Sequence, residues 1–594
     1  MFFVKKGRSV IYLDLFITIL SNSLMKRYRW TLLTPDERVV AALSEAINVS
    51  LPVARALCNR GIETFEEAKV FFRASISDLP SPFLMEQMGR AAERVVQAVG
   101  KREKIMLYGD YDVDGTTGTA MLYLFLKEHG AEVSYYINDR FSEGYGLSDE
   151  GIDLAIATGT GLIVTVDCGI RENDAIGRCC MSGIDVIVCD HHEADELPPA
   201  YAILNPKVPG TAYPFRELCG CGVAFRFIQA IGGILHEDPE NCLQYLDFVA
   251  VATAADMVSL EKENRTLVRE GLKRIRTNPR SNFRQMFTLM NIQPSEVDIY
   301  HIVFGIAPRI NAAGRMHSAN LAVDWLLSMT QEESKRHAAE LDRMNADRRE
   351  IDSDIMKKAE SMLDGHFASY CSSIVLYDES WHLGVLGIVA SKLLEKYYLP
   401  TIILGNMNGF VRGSVRSVSG LNVYEVLQQC SDYLEQFGGH HQAAGITLRA
   451  ENYENFRRKF DEVCGTSLSL VHRQKEVMVD SVLSLEEITG NFIKVLGQFA
   501  PFGYGNREPV FISPEMRLGS KPKLLKQRHV KFSLTDRHGR NFEVIGFDRP
   551  DIYQELSSVS DPVFTMLYTV EKRVWNQREE LQIKIRDLEL KGKG

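Results

Sequence analysis

Three aspartates at alternate positions form the stretch of this sequence best suited to chemistry. Asp110, Asp112 and Asp114 lie in the segment YGDYDVDG, between an apolar run at 104–108 and a threonine-rich segment with a helical pattern. Three like charges this close repel one another unless a cation or a proton is shared among them. Carboxylate oxygens bind hard divalent cations, so the sequence predicts a metal site in a loop between a strand and a helix.

The same DxDxDG pattern opens the calcium-binding loop of an EF-hand. With Asp110 in the first position of such a loop, the twelfth position is Met121, which cannot supply the bidentate carboxylate. The residues before the loop also have the pattern of a strand, where an EF-hand requires a helix. The other simple interpretation is a solvated acidic turn, and it predicts no partners for these aspartates elsewhere in the chain.

Four short apolar runs, at 104–108, 133–138, 162–167 and 185–190, are each followed by a helical pattern. This alternation predicts parallel β-α-β units, in which ligands bind beyond the carboxyl ends of the strands. The ends of the later runs supply further candidate residues: Asp139 with Arg140, Asp167, and Asp190 with His191 and His192. For Asp167 or Asp190 alone, helix capping explains the position at least as well. Acidic residues at several strand ends favour one shared site.

Adjacent His191 and His192 are expected to point to opposite sides of an extended chain, one toward a metal and the other toward a substrate. Asp256 lies in a mostly apolar segment, 247–260, whose pattern predicts a helix, and a carboxylate buried there requires a cation. The predicted metal ligands are Asp112, Asp114, Asp167, His191 and Asp256, with Asp110 nearby. Mixed carboxylate and imidazole ligands favour Mn²⁺ or Mg²⁺ over Ca²⁺, with zinc or cobalt as alternatives. The number of carboxylates predicts two ions bridged by one of them, an arrangement suited to phosphoryl displacement.

The motifs YGDYDVDG, TVDCGI and VCDHHE resemble the signature of the DHH phosphoesterase superfamily, which is named after its Asp-His-His triplet. From about residue 30 to the end, the chain is similar to the single-stranded-DNA-specific exonucleases within that superfamily. Five later segments carry this similarity in the expected order: APRINAAGRM (307–316), GVLGIVASKL (384–393), GSVRSVSG (413–420), GGHHQAAG (438–445) and PFGYGNREPVF (501–511).

The resemblance implies a metal-dependent 5′ to 3′ exonuclease that hydrolyses single-stranded DNA to mononucleotides in DNA repair and recombination. Two Mn²⁺ or Mg²⁺ ions are the implied cofactors, and a single-strand-binding protein and a helicase are the implied partners. Within that scheme we expect Asp167 to bridge the ions, Asp112 to lie mainly on one, and Asp114, His191 and Asp256 on the other. His192 is expected to face the scissile phosphate, and Asp110 either binds a metal or orients a ligand.

The resemblance also indicates residues that contact the substrate. They are Arg309, Asn311 and Arg315 in one motif, and Ser414, Arg416, Ser417 and His440 in two others. For Arg309 and Arg315 a structural salt bridge is the alternative. Without the resemblance, the GGHH stretch is better explained as a turn with a satisfied histidine.

The predicted fold class is α/β, with a parallel-sheet DHH domain, a long connecting helix, a smaller α/β DHH-associated domain and a β-barrel OB-fold domain. The predicted limits are 1–30 for an N-terminal extension, 31–100 for a helical region, 101–330 for the DHH domain, 331–368 for an exposed connecting helix, 369–465 for the DHH-associated domain and 466–594 for the OB fold. The net charge of −10 conceals a basic stretch at 521–540 in the last domain. With Phe532, Phe542 and Phe547 interleaved, it predicts a surface that binds single strands by charge and base stacking.

Composition also restricts the classes of protein to which this chain can belong. An apolar content of 45% with 25% charged residues is typical of a globular protein, and the eleven cysteines lack the CxxC pairs of zinc fingers. Their position in apolar runs predicts reduced thiols and a cytoplasmic protein. We also expect a monomer that does not bind a membrane, although the sequence carries no clear signal for an oligomer. Residues 1–24 imitate a signal peptide, but Asp14 interrupts the apolar run, and Met25 is a plausible start. Two rivals stay open: a DHH phosphodiesterase for very short oligonucleotides or cyclic dinucleotides, and a silent single-strand-binding protein.

Overall fold

The computed structural model describes residues 28–140, 142–194, 196–366, 372–407, 409–469, 474–575 and 578–591. The chain forms two compact units. The parallel-sheet unit comprises Thr64–Arg348 and Gln498–Glu508, and the mixed-sheet unit comprises the residues before Thr64, Arg349–Gly497 and those from Pro509 onward. Most of the predicted N-terminal extension, with the signal-like segment, lies outside the described residues.

The described chain begins in the mixed-sheet unit with a strand, β1 (Tyr28–Leu32), followed by helices α1 (Glu37–Ile47) and α2 (Leu51–Cys58). Strand β1 pairs in parallel with Lys475–Val479, and the Trp30 indole N–H donates to the Asp587 carboxylate at 3.0 Å. These contacts differ from the expectation that residues up to 30 are an extension. Local sequence did not indicate this strand, because its strand partner and its indole acceptor lie more than 400 residues further along the chain.

The parallel-sheet unit is built on five parallel strands: β2 (Lys104–Gly109), β3 (Glu132–Ile137), β4 (Leu162–Val166), β5 (Asp185–Cys189) and β6 (Ala202–Leu204). Their order across the sheet is β3-β2-β4-β5-β6. All five residues of β4 are buried, as expected of a strand covered on both faces. The four predicted strands therefore share one sheet, and their carboxyl ends lie along one edge.

Helices complete this unit, and several of them are buried almost throughout. They are α3 (Phe65–Arg73), α4 (Met88–Lys101), α5 (Val113–Glu128), α6 (Asp149–Thr158), α7 (Asn173–Met181), α8 (Gly220–Ile234), α9 (Leu246–Ala255), α10 (Lys262–Thr277), α11 (Ser281–Leu289), α12 (Ile299–His301), α13 (Ala307–Met316) and α14 (Asn320–Leu327). A wide π turn, Ile302–Ile306, joins α12 to α13.

The connecting helix α15 spans Gln331–His366, and the predicted limits were 331–368. It is less exposed than its charge content suggested. Ala338 and Leu341 belong to the core of the parallel-sheet unit, while Ile355 and Ala359 belong to a core of the mixed-sheet unit. Within each unit, a spacing of three or four residues places the two side chains on one face of the helix.

The mixed-sheet unit continues with a five-stranded sheet of order β10-β11-β9-β8-β7. Its elements are β7 (Ile374–Tyr377), α16 (Leu386–Tyr397), β8 (Thr401–Met407), β9 (Phe410–Arg416), α17 (Val423–Gln428), β10 (Gln436–Gly439), β11 (Ala443–Arg449) and α18 (Tyr453–Ser467). Strands β7 and β8 are parallel, and the other neighbours are antiparallel. This arrangement is the smaller α/β domain that the sequence predicted.

The last part of the chain forms a seven-stranded sheet of order β13-β14-β18-β19-β17-β16-β15. After β12 (Lys475–Val479), which pairs with β1, its elements are β13 (Ser481–Val482), α19 (Gly490–Gly497), β14 (Phe511–Arg517), β15 (Lys523–Leu525), β16 (His529–Thr535), β17 (Asn541–Gly546), α20 (Pro550–Ser557), β18 (Val563–Trp575) and β19 (Arg578–Leu590). A bridge between Leu518 and Leu534 connects the end of β14 to β16. The sheet therefore curls toward a barrel.

The segment Gln498–Glu508 belongs to the parallel-sheet unit, although its position in the sequence placed it in the predicted OB-fold domain. The buried Arg265 guanidinium donates to the carbonyl oxygens of Phe499 at 2.6 Å and Gln498 at 2.7 Å. The Asn506 side chain donates to two further carbonyls of the same loop. A buried cation requires such acceptors, which explains why this loop packs there.

Among the described residues, no single helix has the length and apolar character needed to cross a membrane. The bent pair α1 and α2 meets those two criteria only when its helices are taken together.

Candidate metal centre

The loop between β2 and α5 holds the three alternate aspartates. Asp112 caps α5, because its Oδ1 accepts hydrogen bonds from the backbone N–H groups of Asp114 at 2.8 Å and Gly115 at 3.2 Å. A Cβ on Gly115 would lie 2.5 Å from the Asp110 carbonyl oxygen, so only glycine lets the loop close this tightly. The second carboxylate oxygen of Asp112 stays available for a cation.

Asp114 is held by the N-terminus of α8. Its two oxygens accept from the N–H groups of Gly220 at 2.5 Å and Cys221 at 2.9 Å. These are unsatisfied donors of the first helical turn, and the helix dipole favours an anion there. From the sequence, no role was assigned to the segment 220–222, so this contact was missed. Its signal was a glycine-rich start to a long apolar helix.

Asp167 follows β4 in a left-handed backbone conformation, with φ of 63°. Such a φ is uncommon for a residue other than glycine and directs the side chain away from the strand axis. Its Oδ1 lies 3.2 Å from His191 Nε2 and 3.8 Å from His192 Nδ1. Asp167 therefore contacts both histidines of the DHH triplet.

Asp190 organises the chain that follows β5. Its Oδ1 accepts from the backbone N–H of His191 at 2.7 Å and of His192 at 3.1 Å, and it lies 2.7 Å from His192 Nδ1. Its Oδ2 accepts from the Ile170 N–H at 3.0 Å. This cap turns the backbone, so the expectation that the two histidines point to opposite sides is wrong. Their ring centroids are 4.5 Å apart, and both rings approach Asp167.

Asp256 ends α9 instead of lying within it, because the helix stops at Ala255. Its side chain is 18% exposed, and its Oδ2 lies 3.6 Å from His191 Nε2. Asp114 Oδ2 lies 3.9 Å from the same nitrogen. His191 is thus surrounded by Asp114, Asp167 and Asp256.

The side chains form three overlapping groups whose ligand atoms lie within 4.8 Å of one another. They are Asp110 with Asp112 and Asp167, Asp114 with His191 and Asp256, and Asp167 with His191 and His192. Several of their buried atoms have no hydrogen-bond partner among the described residues: Asp110 Oδ1, Asp167 Oδ1, Asp256 Oδ2 and both ring nitrogens of His191. Buried polar atoms normally have partners. A divalent cation fits this donor set, because it would satisfy these atoms together.

The pKa shifts of these residues also favour a metal site. Burial and the charge of Asp112 raise the pKa of Asp110 well above its usual range, and burial with the charges of Asp114 and Asp112 does the same for Asp167 and Asp256. Burial lowers the pKa of His191 to about 4, which leaves a neutral imidazole suited to binding a metal. Burial also acts to lower the pKa of His192, but the hydrogen bond to Asp190 and the negative charges of Asp190 and Asp114 together outweigh burial and raise this pKa. The two neighbouring rings therefore differ in chemistry.

Three of the predicted substrate residues lie on α13. Arg309 donates through Nε to Asp342 at 2.8 Å and through Nη1 to the Gly305 carbonyl at 2.7 Å, so it forms the structural ion pair that was its alternative. Asn311 and Arg315 are half-buried. Arg315 follows Gly314, where a Cβ would lie 2.9 Å from the Tyr111 carbonyl oxygen. The end of α13 therefore packs against the aspartate loop.

The other four lie in the mixed-sheet unit. Ser414 and Arg416 belong to β9, and a Cβ on Gly387 would lie 3.2 Å from Ser414 Oγ and 2.8 Å from Arg416 Nη2. The first turn of α16 thus approaches these two donors closely, a geometry suited to a phosphate. The Ser417 hydroxyl donates to the Leu421 carbonyl at 2.9 Å, so its proton is used locally. His440 is exposed, and its backbone N–H donates to the Ala443 carbonyl at 2.8 Å.

Comparison with known proteins agrees with these observations. The DHH family N-terminal domain model matches residues 104–253, the DHHA1 domain model 368–466 and the RecJ OB domain model 479–587. The single-stranded-DNA-specific exonuclease RecJ of Bacillus subtilis is 35% identical over 568 residues, which cover 95% of this chain and 71% of that protein. The chain belongs to the RecJ family.

Two solved RecJ structures from Thermus thermophilus are similar over 95% of the chain. The structure in complex with Mn²⁺ has a TM-score of 0.80 at 27% identity and is covered to 80%; the structure in complex with Mg²⁺ has a TM-score of 0.74 at 26% identity and is covered to 78%. The predicted resemblance and the predicted fold class are therefore confirmed.

Two residues near the centre of this RecJ-family chain were not singled out in the sequence. Tyr145 is 46% exposed, and its hydroxyl donates to the Asp167 carbonyl at 3.0 Å and lies 3.3 Å from His192 Nδ1. Asn205 donates to the His192 carbonyl at 2.9 Å. Tyr145 follows Gly144 in the loop between β3 and α6, and no motif in the sequence marks it. Asn205 had no sequence signal, because its partner is 13 residues away in another strand-end loop.

Proposed function

We propose that the protein is a metal-dependent exonuclease that degrades single-stranded DNA in the 5′ to 3′ direction and releases mononucleotides, in DNA repair and recombination. Membership of the RecJ family supports the substrate and the reaction. The observation that supports the site is the pair of ligand groups, Asp110–Asp112–Asp167 and Asp114–His191–Asp256, that meet where Asp167 Oδ1 lies 3.2 Å from His191 Nε2.

We assign two Mn²⁺ or Mg²⁺ ions to these groups, with Asp167 as the shared ligand. When bound, such a pair of ions activates water and stabilises the charge that develops on the phosphoryl oxygens. Asp112 can hold one ion with the oxygen that does not cap α5. Asp114 and Asp256 can hold the other together with His191, whose neutral ring offers a lone pair. Asp110 completes the first group.

His192 is suited to acting on the substrate itself. Its side chain is 34% exposed, whereas that of His191 is 8% exposed. Asp190 engages its Nδ1, so the Nε2 edge can donate a hydrogen bond to the scissile phosphate or a proton to the leaving oxygen. Its raised pKa favours the protonated ring that such donation needs.

Ser414, Arg416 and His440 are our candidates for phosphate contacts on the mixed-sheet unit, with Asn311 and Arg315 on α13. We retain Ser417 and Arg309 only as positioning residues, because their donors are used locally. A cytoplasmic monomer that receives its substrate from a helicase and a single-strand-binding protein is the setting we propose.

The test uses DNA labelled at either end, single-stranded or duplex, and a dinucleotide, each with Mn²⁺ or with a chelator. We expect Mn²⁺-dependent release of mononucleotides from the 5′ end of the single strand. The variants D167A and H191A should lose at least about 10³-fold in rate while keeping the fold by circular dichroism. The matched control is D174A, which removes an exposed aspartate in the first turn of α7. Cleavage of the dinucleotide alone, or wild-type rates in D167A, would refute the proposal.

A further inference from the structure

The helical segment that carries Asn311 and Arg315 begins with an exposed pair of aromatic rings. Helix α12, the π turn and α13 follow one another without interruption from Ile299 to Met316. Tyr300 and Phe304 in its first part are 64% and 63% exposed, and their ring centroids lie 4.8 Å apart at an angle of 41°. The buried aromatic residues of this unit, such as Phe283 and Phe287, are fully enclosed.

The aromatic pair continues the face on which the predicted substrate residues lie. Phe304 and Arg315 are eleven residues apart, about three helical turns, so they share one side of the helix. Ile302, Ile306 and Ile310 are buried on the opposite side. The exposed or half-buried positions of the shared side are Tyr300, Phe304, Pro308, Asn311 and Arg315.

This face leads away from the metal centre. At its C-terminal end, Gly314 packs against the carbonyl oxygen of Tyr111, between Asp110 and Asp112. At about 1.5 Å per residue, Phe304 lies about 17 Å further along the helix than Arg315. That length corresponds to about five stacked nucleotides at about 3.4 Å each, and to fewer if the strand is extended.

The chemistry of the pair favours nucleobases over a protein partner. Aromatic rings stack on any base without sequence preference, as a nuclease that degrades a whole strand requires. Two rings are a small surface compared with the roughly 800 Å² that each partner contributes to a stable protein interface. A π turn inside a helix is also frequently found at functional sites.

We propose that Tyr300 and Phe304 form a stacking platform for bases of the single strand, a few nucleotides to the 3′ side of the scissile phosphate. The inference rests on the proposed cleavage of single-stranded DNA at the aspartate cluster. It adds a binding subsite that a long strand reaches and a very short one does not.

The test compares a 20-nucleotide strand with a trinucleotide for the wild type, the double variant Y300A/F304A, and the single variants F304L and F304W. We expect KM for the 20-nucleotide strand to rise about 5- to 50-fold in the double variant, with kcat unchanged and the trinucleotide kinetics unaffected. F304L should raise KM and F304W should not, because stacking needs a ring and not only apolar surface. The matched control is F65A, which removes a ring that is 51% exposed in the same unit.

Unchanged KM for the 20-nucleotide strand in the double variant would overturn the inference and leave the pair as a site for another partner. Wild-type behaviour of F304L would also overturn it, since any apolar side chain would then suffice. Failure of the wild type to cut either substrate is a different result, because it would refute the proposed function itself. Melting curves of each variant show whether the fold is kept.

Discussion

Asp190 gives two adjacent histidines different chemical properties. It accepts the backbone N–H groups of both and engages the ring of His192, while the ring nitrogens of His191 have no hydrogen-bond partner among the described residues. Because Asp190 itself lies at 0% exposure, its carboxylate acts through the histidines and not on the substrate. It is a positioning residue by this geometry.

The variant D190N should therefore impair catalysis more than metal binding. We expect a fall in single-turnover rate of about 10- to 100-fold, as is usual when the partner of an active-site histidine is changed. Mn²⁺ affinity, measured by titration calorimetry, should fall much less than in D167N, which removes the shared ligand. Equal losses of Mn²⁺ affinity in the two variants would mean that Asp190 holds the metal site itself.

Gly220 provides a second test at this scale. A Cβ at this position would lie 2.7 Å from Asp167 Cβ and 3.0 Å from Asp114 Oδ2, so alanine must displace two predicted ligands at once. We expect G220A to lose at least about tenfold in Mn²⁺ affinity, by analogy with other changes just outside metal ligands. The matched control is G222A in the same helical turn, where the nearest atom is 3.4 Å from the added Cβ. An affinity of G220A equal to that of G222A would contradict the assignment.

Local patterns in the sequence predicted the aspartate loop, the strand ends and the long helix, because each depends on residues close together in the chain. The hydrogen bonds from the N-terminus of α8 to Asp114 could not be predicted. The two segments are 106 residues apart, and no motif in either one indicates the other as its partner. The shared orientation of His191 and His192 was missed for a different reason. An extended chain was assumed where a side chain, Asp190, caps the backbone and turns it.

Helix α5 connects the metal loop at its start to an ion pair at its end. His129, which caps the helix, places Nδ1 2.7 Å from the Phe125 carbonyl and Nε2 2.6 Å from Glu237 Oε1. Two acceptors require both ring nitrogens to carry protons. Burial acts to lower the pKa of His129, but the hydrogen bonds to Glu237 and to the Phe125 carbonyl, with the charges of Glu237 and Glu128, together outweigh burial, so the pKa is raised.

This raised pKa predicts the pH dependence of stability for the parallel-sheet unit. The stabilisation that the protonated His129 ring gains from Glu237 is complete below the unfolded-state pKa of about 6.5. It is lost as the pH rises through the higher pKa of the folded state. The difference in the free energy of unfolding between the wild type and E237Q should therefore be at most about 1 kcal/mol at pH 6, and it should be smaller at pH 9. The control is E240Q, which changes an exposed neighbour and should show no such trend. A difference that grows with pH would contradict the charged pair.

At the scale of the whole molecule, a net charge of −10 coexists with a basic stretch on the barrel. Ion pairs in the structure neutralise part of the positive charge of that stretch. Lys531 pairs with Glu543 at 2.7 Å and Arg540 with Asp536 at 2.6 Å, while Arg528 pairs with Asp548. Phe532 and Phe542 are 3% and 5% exposed, so the stacking surface predicted for them is wrong, because their strands turn these rings into the barrel core. Phe547 is 51% exposed.

Three lysines remain as candidate phosphate contacts on the barrel. Within the residues that the structure describes, Lys521, Lys523 and Lys526 are exposed and have no ion-pair partner. Lys523 also lies directly opposite Lys531 in the β15–β16 pair. Because Glu543 already pairs with Lys531, a bound polyanion would meet mainly the charges of the three exposed lysines.

The variant K523E/K526E should weaken binding of a long single strand and leave cleavage of a trinucleotide unchanged, because only a long strand can extend from the metal centre to other surfaces. Each phosphate contact that is lost lowers the slope of log K against log salt by about 0.7 for single strands, so the double variant should lose about 1.4. The measurement is fluorescence anisotropy of a labelled 40-nucleotide strand across a salt series. The control K459E/K494E reverses two lysines of the same unit outside the barrel strands. An unchanged salt slope in K523E/K526E would show that this face of the barrel is an ordinary solvated surface that does not contact the strand.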